Sequence, residues 1–62
     1  MNNQNEDLLR PMDVHETASL LGVPVSTVYQ LFKNKEIKAT LIGKRYKTNR
    51  AAINEYINRV MK

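Results

Sequence analysis

The stretch Asp13-Val14-His15-Glu16-Thr17-Ala18-Ser19-Leu20-Leu21-Gly22-Val23-Pro24-Val25-Ser26-Thr27-Val28-Tyr29-Gln30-Leu31-Phe32-Lys33 decides how the chain folds. The Asp13 carboxylate can accept from the amide of Glu16, and Glu16 can reach back, an aspartate form of the capping box. Val14, Ala18 and Leu21 recur at i, i+4 and i+7, with Thr17 and Leu20 at the edges, which predicts a helix over Val14–Leu21. Gly22 ends it, because glycine enters the left-handed region without a Cβ penalty. Pro24, at the end of the turn Gly22-Val23-Pro24, suits a helix start, where no amide donor is needed. A second helix is predicted over about Val25–Lys33, burying Val28, Leu31 and Phe32, with Val23 joining them from the turn. Ser26, Thr27, Tyr29, Gln30 and Lys33 fall on its other side. Two short helices joined by a tight glycine turn are the outline of a helix-turn-helix.

Beyond Asn34-Lys35-Glu36 the period changes. Ile37 anchors the chain, and Ala39-Thr40-Leu41-Ile42 is rich in β-branched and apolar residues. Gly43-Lys44 fits a two-residue hairpin loop, with glycine first as a type II′ turn requires. Arg45-Tyr46-Lys47-Thr48 returns as the partner strand. Alternation is expected to turn Thr40, Ile42, Tyr46 and Thr48 toward the core and Leu41, Arg45 and Lys47 outward. Asn49 caps a third helix over about Arg50–Met61, whose stripe of Ile53, Tyr56, Ile57 and Val60 closes the core under the hairpin. Upstream, residues 1–11 are rich in Asn and Gln, lack periodicity and read as a flexible arm, with Leu8 and Leu9 able to tuck against the domain.

Sixty-two residues make one small domain of modest stability. Cysteine is absent, which removes disulfides and thiolate metal sites. No apolar run approaches the ~20 residues of a membrane-spanning helix, and the N-terminus lacks the basic-then-apolar pattern of a signal peptide; the cytoplasm is the expected compartment. Charge is divided by position. Residues 1–32 hold Arg10 against Glu6, Asp7, Asp13 and Glu16, a balance of −3. Residues 33–62 hold nine Lys and Arg against Glu36 and Glu55, a balance of +7. A basic half on a small domain is the footprint of a partner carrying phosphates, or else a merely solvated face. There is no paired-carboxylate site, no nucleophile with a base and no phosphate-cradling glycine loop, so neither catalysis nor a cofactor is expected. His15 reads as a surface residue, with no second His or Cys to make a metal site.

The ordered set Met12 to Val23, Ser26-Thr27-Val28-Tyr29, Glu36-Ile37, Ile42-Gly43-Lys44-Arg45-Tyr46, Ile53 and Tyr56-Ile57 resembles the excisionase-type DNA-binding domain, related to the MerR-type winged helix. The resemblance covers about residues 12–60. It implies a mainly α fold with a small β-hairpin, a winged helix-turn-helix of order α-α-β-β-α over residues 12–62. Its second helix would enter the major groove of double-stranded DNA, and its wing would follow the backbone into the adjacent minor groove. Members serve as recombination directionality factors of phages and mobile elements or as small transcription regulators, and both roles stay open here. So does a protein-interaction module with a basic surface. The resemblance also implies tandem binding by neighbouring copies, DNA bending and a tyrosine-type integrase as partner. With the chain ending at Lys62 just after the third helix, that contact is expected to use the helix itself or be absent. Without a heptad seam, the chain is expected to be a monomer off DNA.

Set in that frame, the exposed side of the second helix supplies the base readers. Gln30 can pair bidentately with adenine, Ser26 and Thr27 can serve a phosphate or a base edge, and Lys33 reaches phosphate or guanine. Tyr29 is expected to be half core, with its hydroxyl offered to a phosphate. Lys44, Arg45 and Lys47 on the hairpin suit phosphates or a narrow minor groove; the plain alternative is a charged hairpin that discourages edge pairing. Arg50, poorly placed for the dipole of the third helix, is a candidate phosphate contact. Several positions depart from the family pattern. Pro24 stands where a serine cap is common, Gln30 and Leu41 where arginine is frequent, and Thr48 where an apolar residue is usual. Lys35 replaces a frequent glycine, and a left-handed residue there would cost about 1 kcal/mol more than glycine.

Overall fold

The reciprocal cap predicted at Asp13 is present in the computed structural model, which describes residues 8–61. Asp13 accepts from the Glu16 amide at 2.8 Å, and the Asp13 amide donates to Glu16 Oε1 at 3.2 Å. The helix they start, α1, spans Val14–Leu21 and ends at Gly22 with φ 70°. The amides of Gly22 and Val23 both donate to the Ala18 carbonyl, so the last turn is satisfied from the backbone. Helix α2 spans Val25–Lys33, with Pro24 at its N-cap making no side-chain cap bond. Strands β1 (Thr40–Ile42) and β2 (Arg45–Lys47) form an antiparallel hairpin, and helix α3 covers Arg50–Val60. Asn49 caps α3 by accepting from the Ala52 amide at 2.8 Å. The order α-α-β-β-α, mainly helical with one small hairpin, is a winged helix-turn-helix arrangement.

The core is small. Val28 and Ile53 are completely buried and Ile37 nearly so, with Met12, Val14, Ala18 and Phe32 around them. Leu31, Tyr56 and Ile57 pack against this group half-buried, while Val60 is exposed. Thr17, expected at an edge, has no exposed surface. Its hydroxyl donates to the Asp13 carbonyl at 2.9 Å, so the polar atom is satisfied inside the helix and the methyl faces the core. Met12 forms a main-chain bridge with Thr48, its amide donating to the Thr48 carbonyl at 2.8 Å and its carbonyl accepting from the Thr48 amide at 2.9 Å. The segment before α1 thereby extends the hairpin at the base of β2. Thr48 is also buried, and its hydroxyl donates to the Lys38 carbonyl at 2.6 Å. Of the expected arm, residues 1–7 lie outside the described residues; Leu8 and Leu9 carry helical backbone.

Two expectations about the hairpin are corrected. Gly43 and Lys44 both have positive φ, 58° and 70°. That is the signature of a type I′ turn, not type II′, whose second residue has negative φ. The inward set is also wrong at Thr40 and Ile42. A two-residue loop pairs its flanking residues directly, so Ile42 faces Arg45 and Thr40 faces Lys47, while Leu41 faces Tyr46. Thr40 and Ile42 therefore lie on the outer face and are exposed; Leu41 stands opposite Tyr46 and is exposed, as expected.

Helix α2 ends in a Schellman motif. The Lys35 amide donates to the Phe32 carbonyl at 3.0 Å and the Glu36 amide to the Leu31 carbonyl at 2.9 Å. The left-handed residue of that motif is Lys35, at φ 60°. Lys35→Gly is expected to stabilise the fold by about 0.5–1 kcal/mol, and Gly22→Ala to destabilise it by about 1 kcal/mol, as read from urea unfolding midpoints. A Cβ at Gly22 would meet nothing within 4 Å, so that penalty is purely conformational.

The Glu16 amide bonded to it holds the Asp13 carboxyl below its ordinary value against the opposing effect of burial, with Lys47 and His15 as lesser contributors. Its stabilisation is complete above the unfolded-state value of about 4 and is lost as pH falls through the lowered folded value. Asp13→Asn, which keeps a capping oxygen, is expected to flatten that part of an acid-unfolding profile followed by circular dichroism.

Candidate nucleic-acid interface

The side of α2 opposite Val28 and Phe32 carries Ser26, Thr27, Tyr29, Gln30 and Lys33, and all five are exposed. Short helices with so polar an outer face are held by their buried stripe, so these side chains are free for contacts outside the fold. Tyr29 is 41% exposed and meets Tyr46 of β2 edge-on, with ring centroids 6.0 Å apart. Tyr46 also lies 5.1 Å from Phe32. One tyrosine of the wing thus packs on both the core and the outer face of α2, and this contact sets the angle at which the hairpin stands beside the helix.

The predicted wing residues separate into two places. Lys44 and Arg45 are exposed at the turn and line a cleft with Tyr29, Tyr46, Asp13 and His15. Here α1, α2 and the wing tip converge. Lys47 is half-buried on the outer face of the hairpin and lines a different cleft, with Ile42, Thr48, Asn49 and Ala52, where Leu9 and Pro11 also lie. Arg50 is exposed in the first turn of α3, a turn without acidic residues. Lys33 lines a third groove, between the end of α2 and β1, together with Lys35, Lys38, Leu41 and Tyr46. Lys35 and Lys38 were no candidates from sequence. Their signal was present in the basic run after residue 32; Lys35 follows Lys33 by two residues, and the approach to β1 brings Lys38 to the same groove.

Among the described residues the ion pair is Arg10 with Glu16, at 3.7 Å; none of these lysines and arginines makes an ion pair there, although Lys47 is near enough to Asp13 to help lower its pKa. Arg59 is occupied otherwise. Its guanidinium donates to the Glu36 carbonyl and lies 5.8 Å from the centroid of the Tyr56 ring, tying α3 to the loop after α2. Among the described residues no group of three His, Cys, Asp or Glu could hold a metal ion. No helix there is long and apolar enough to cross a membrane.

A family model described as a helix-turn-helix domain matches residues 12–61, from the residue that bridges to Thr48 to the C-cap of α3. Neither a curated protein nor a solved structure gives a significant match to the chain.

The Tyr46 contact generates a stability test. Tyr46→Ala is expected to destabilise the domain by about 2 kcal/mol, less than a fully buried aromatic would. Hydrogen exchange should then accelerate first at the amides of the hairpin, while those of α1 follow global unfolding.

Proposed function

Because the chain belongs to the helix-turn-helix domain family, a DNA-binding family whose partner is the duplex, we propose that it is a sequence-specific factor of the excisionase type. In this reading residues 12–62 are the binding unit. Helix α2 enters the major groove, with Gln30, Ser26, Thr27 and Lys33 toward base edges and Tyr29 toward a phosphate. Lys44 and Arg45 at the wing tip hold the adjacent backbone or minor groove, with Lys47 and Arg50 as further phosphate contacts. The chain acts as a monomer in solution, binds neighbouring sites on the DNA of a mobile element, and directs a tyrosine-type integrase toward excision.

The observation that carries the reading is one juxtaposition. The exposed polar row of α2 and the unpaired cations of the wing tip stand on the two sides of the Tyr29–Tyr46 contact, a reading helix beside a backbone-gripping hairpin. The family is typically non-enzymatic.

Binding to element-end and random duplexes across a salt series tests it. Wild type is expected to prefer the element ends and to weaken steeply with salt. Gln30→Ala should lose about 1–3 kcal/mol of discrimination at one base position. Arg45→Ala should weaken all duplexes alike and lower the salt slope by about 0.9. Equal and negligible binding to every duplex would refute the reading. In a reconstituted recombination reaction the excisionase role predicts that added protein raises excision over integration.

A further inference from the structure

Among the described residues, the non-glycine residues with positive φ are Lys35, at 60°, and Lys44, at 70°. Both are exposed lysines, and each occupies a position where glycine or asparagine is conformationally cheaper. Neither charge is needed to finish its own element. The last carbonyls of α2 are satisfied by backbone amides from Asn34, Lys35 and Glu36, and Lys44 sits in a turn closed by strand pairing. Strain kept at an exposed cation points to a task for its side chain.

The two lysines line two clefts on the seam between α2 and the wing. Lys35 lines the groove between α2 and β1 with Lys33 and Lys38, over Leu41 and Tyr46. Lys44 lines the cleft on the other side with Arg45, Tyr29 and Tyr46. Tyr46 lines both, so the two clefts lie on the seam between α2 and the wing, one on each side of the contact that Tyr46 makes with Phe32 and Tyr29. No carboxylate lines the cleft at Lys35. When a helix occupies the major groove of a duplex and a neighbouring hairpin reaches the minor groove, one phosphodiester strand separates the two. That strand must cross the seam between helix and hairpin.

The geometry points to this seam as the path of one DNA strand, with Lys35 and Lys38 as phosphate contacts beyond the recognition helix and the wing tip. The inference rests on the duplex-binding reading above and extends it to residues at the far end of α2. It carries an uncommon corollary: the change that relaxes the backbone at residue 35 weakens binding, so stability and affinity move in opposite directions.

The test compares full-length wild type, Lys35→Gly, Lys35→Arg and Lys38→Ala for duplex binding across a salt series, with unfolding followed in parallel. Lys35→Gly is expected to unfold at higher urea yet bind about five- to tenfold more weakly near 0.1 M salt, with a slope smaller by about 0.9 and the same ranking of sequences. Lys38→Ala should lose a similar slope, and Lys35→Arg should keep the wild-type slope. Wild-type affinity and slope in both Lys35→Gly and Lys38→Ala would overturn the inference while duplex binding itself stood, and would leave the groove to an acidic protein surface. Failure of wild type to bind any duplex would instead overturn the reading on which the inference rests, and the inference with it.

Discussion

Thr48 ties together three parts of the chain that the elements alone would leave loose. Its amide and carbonyl exchange hydrogen bonds with Met12, and its hydroxyl holds the Lys38 carbonyl. The entry to α1, the approach to β1 and the exit of β2 into α3 therefore meet at one buried residue. A two-stranded hairpin is marginal by itself in water. Here it is anchored at its base by Thr48 and on its inner face by Tyr46 against Phe32 and Tyr29. A hydroxyl stands where an apolar side chain would add contact area, and it is not a weakness. The Lys38 carbonyl satisfies it, so burying Thr48 strands no polar side-chain atom.

The remaining stability comes from a core of few residues, so local chemistry carries unusual weight. Caps at Asp13 and Asn49 and the left-handed ends of α1 and α2 satisfy the helix termini from within the chain. Against this background the two left-handed lysines stand out. A small domain has little stability to spend on strain, yet both positions keep a cation where a smaller residue would sit more easily.

The division of charge matches the division of labour. The acidic first part of the chain supplies the capping box and the ion pair that hold α1 together. The basic second part supplies cations that form no ion pair among the described residues and that gather at the wing and the end of α2. Arg59 is the exception that shows why a count of charges is not a map of a surface. It belongs to the basic half but is committed to the Glu36 carbonyl and the Tyr56 ring.

Much of the fold was legible in the sequence because it depends on local rules. The bounds of α1 and α2, the capping box, the glycine end of α1, the asparagine cap of α3 and the exposed row from Ser26 to Lys33 all follow from contacts within four residues, and all read correctly. The hairpin did not, because alternation says which residues share a face only once the register is known. The two-residue I′ turn set that register and moved Ile42 outward. The Met12–Thr48 bridge, the burial of Thr17 and the groove that Lys38 shares with Lys33 were likewise invisible. They join residues through the packing of whole elements, and no periodicity records which elements will touch. The sequence by itself determined the helices, their caps and where the charge resides. Only the tertiary structure decided which way the wing faces and which cations share a groove, because those depend on pairings distant along the chain.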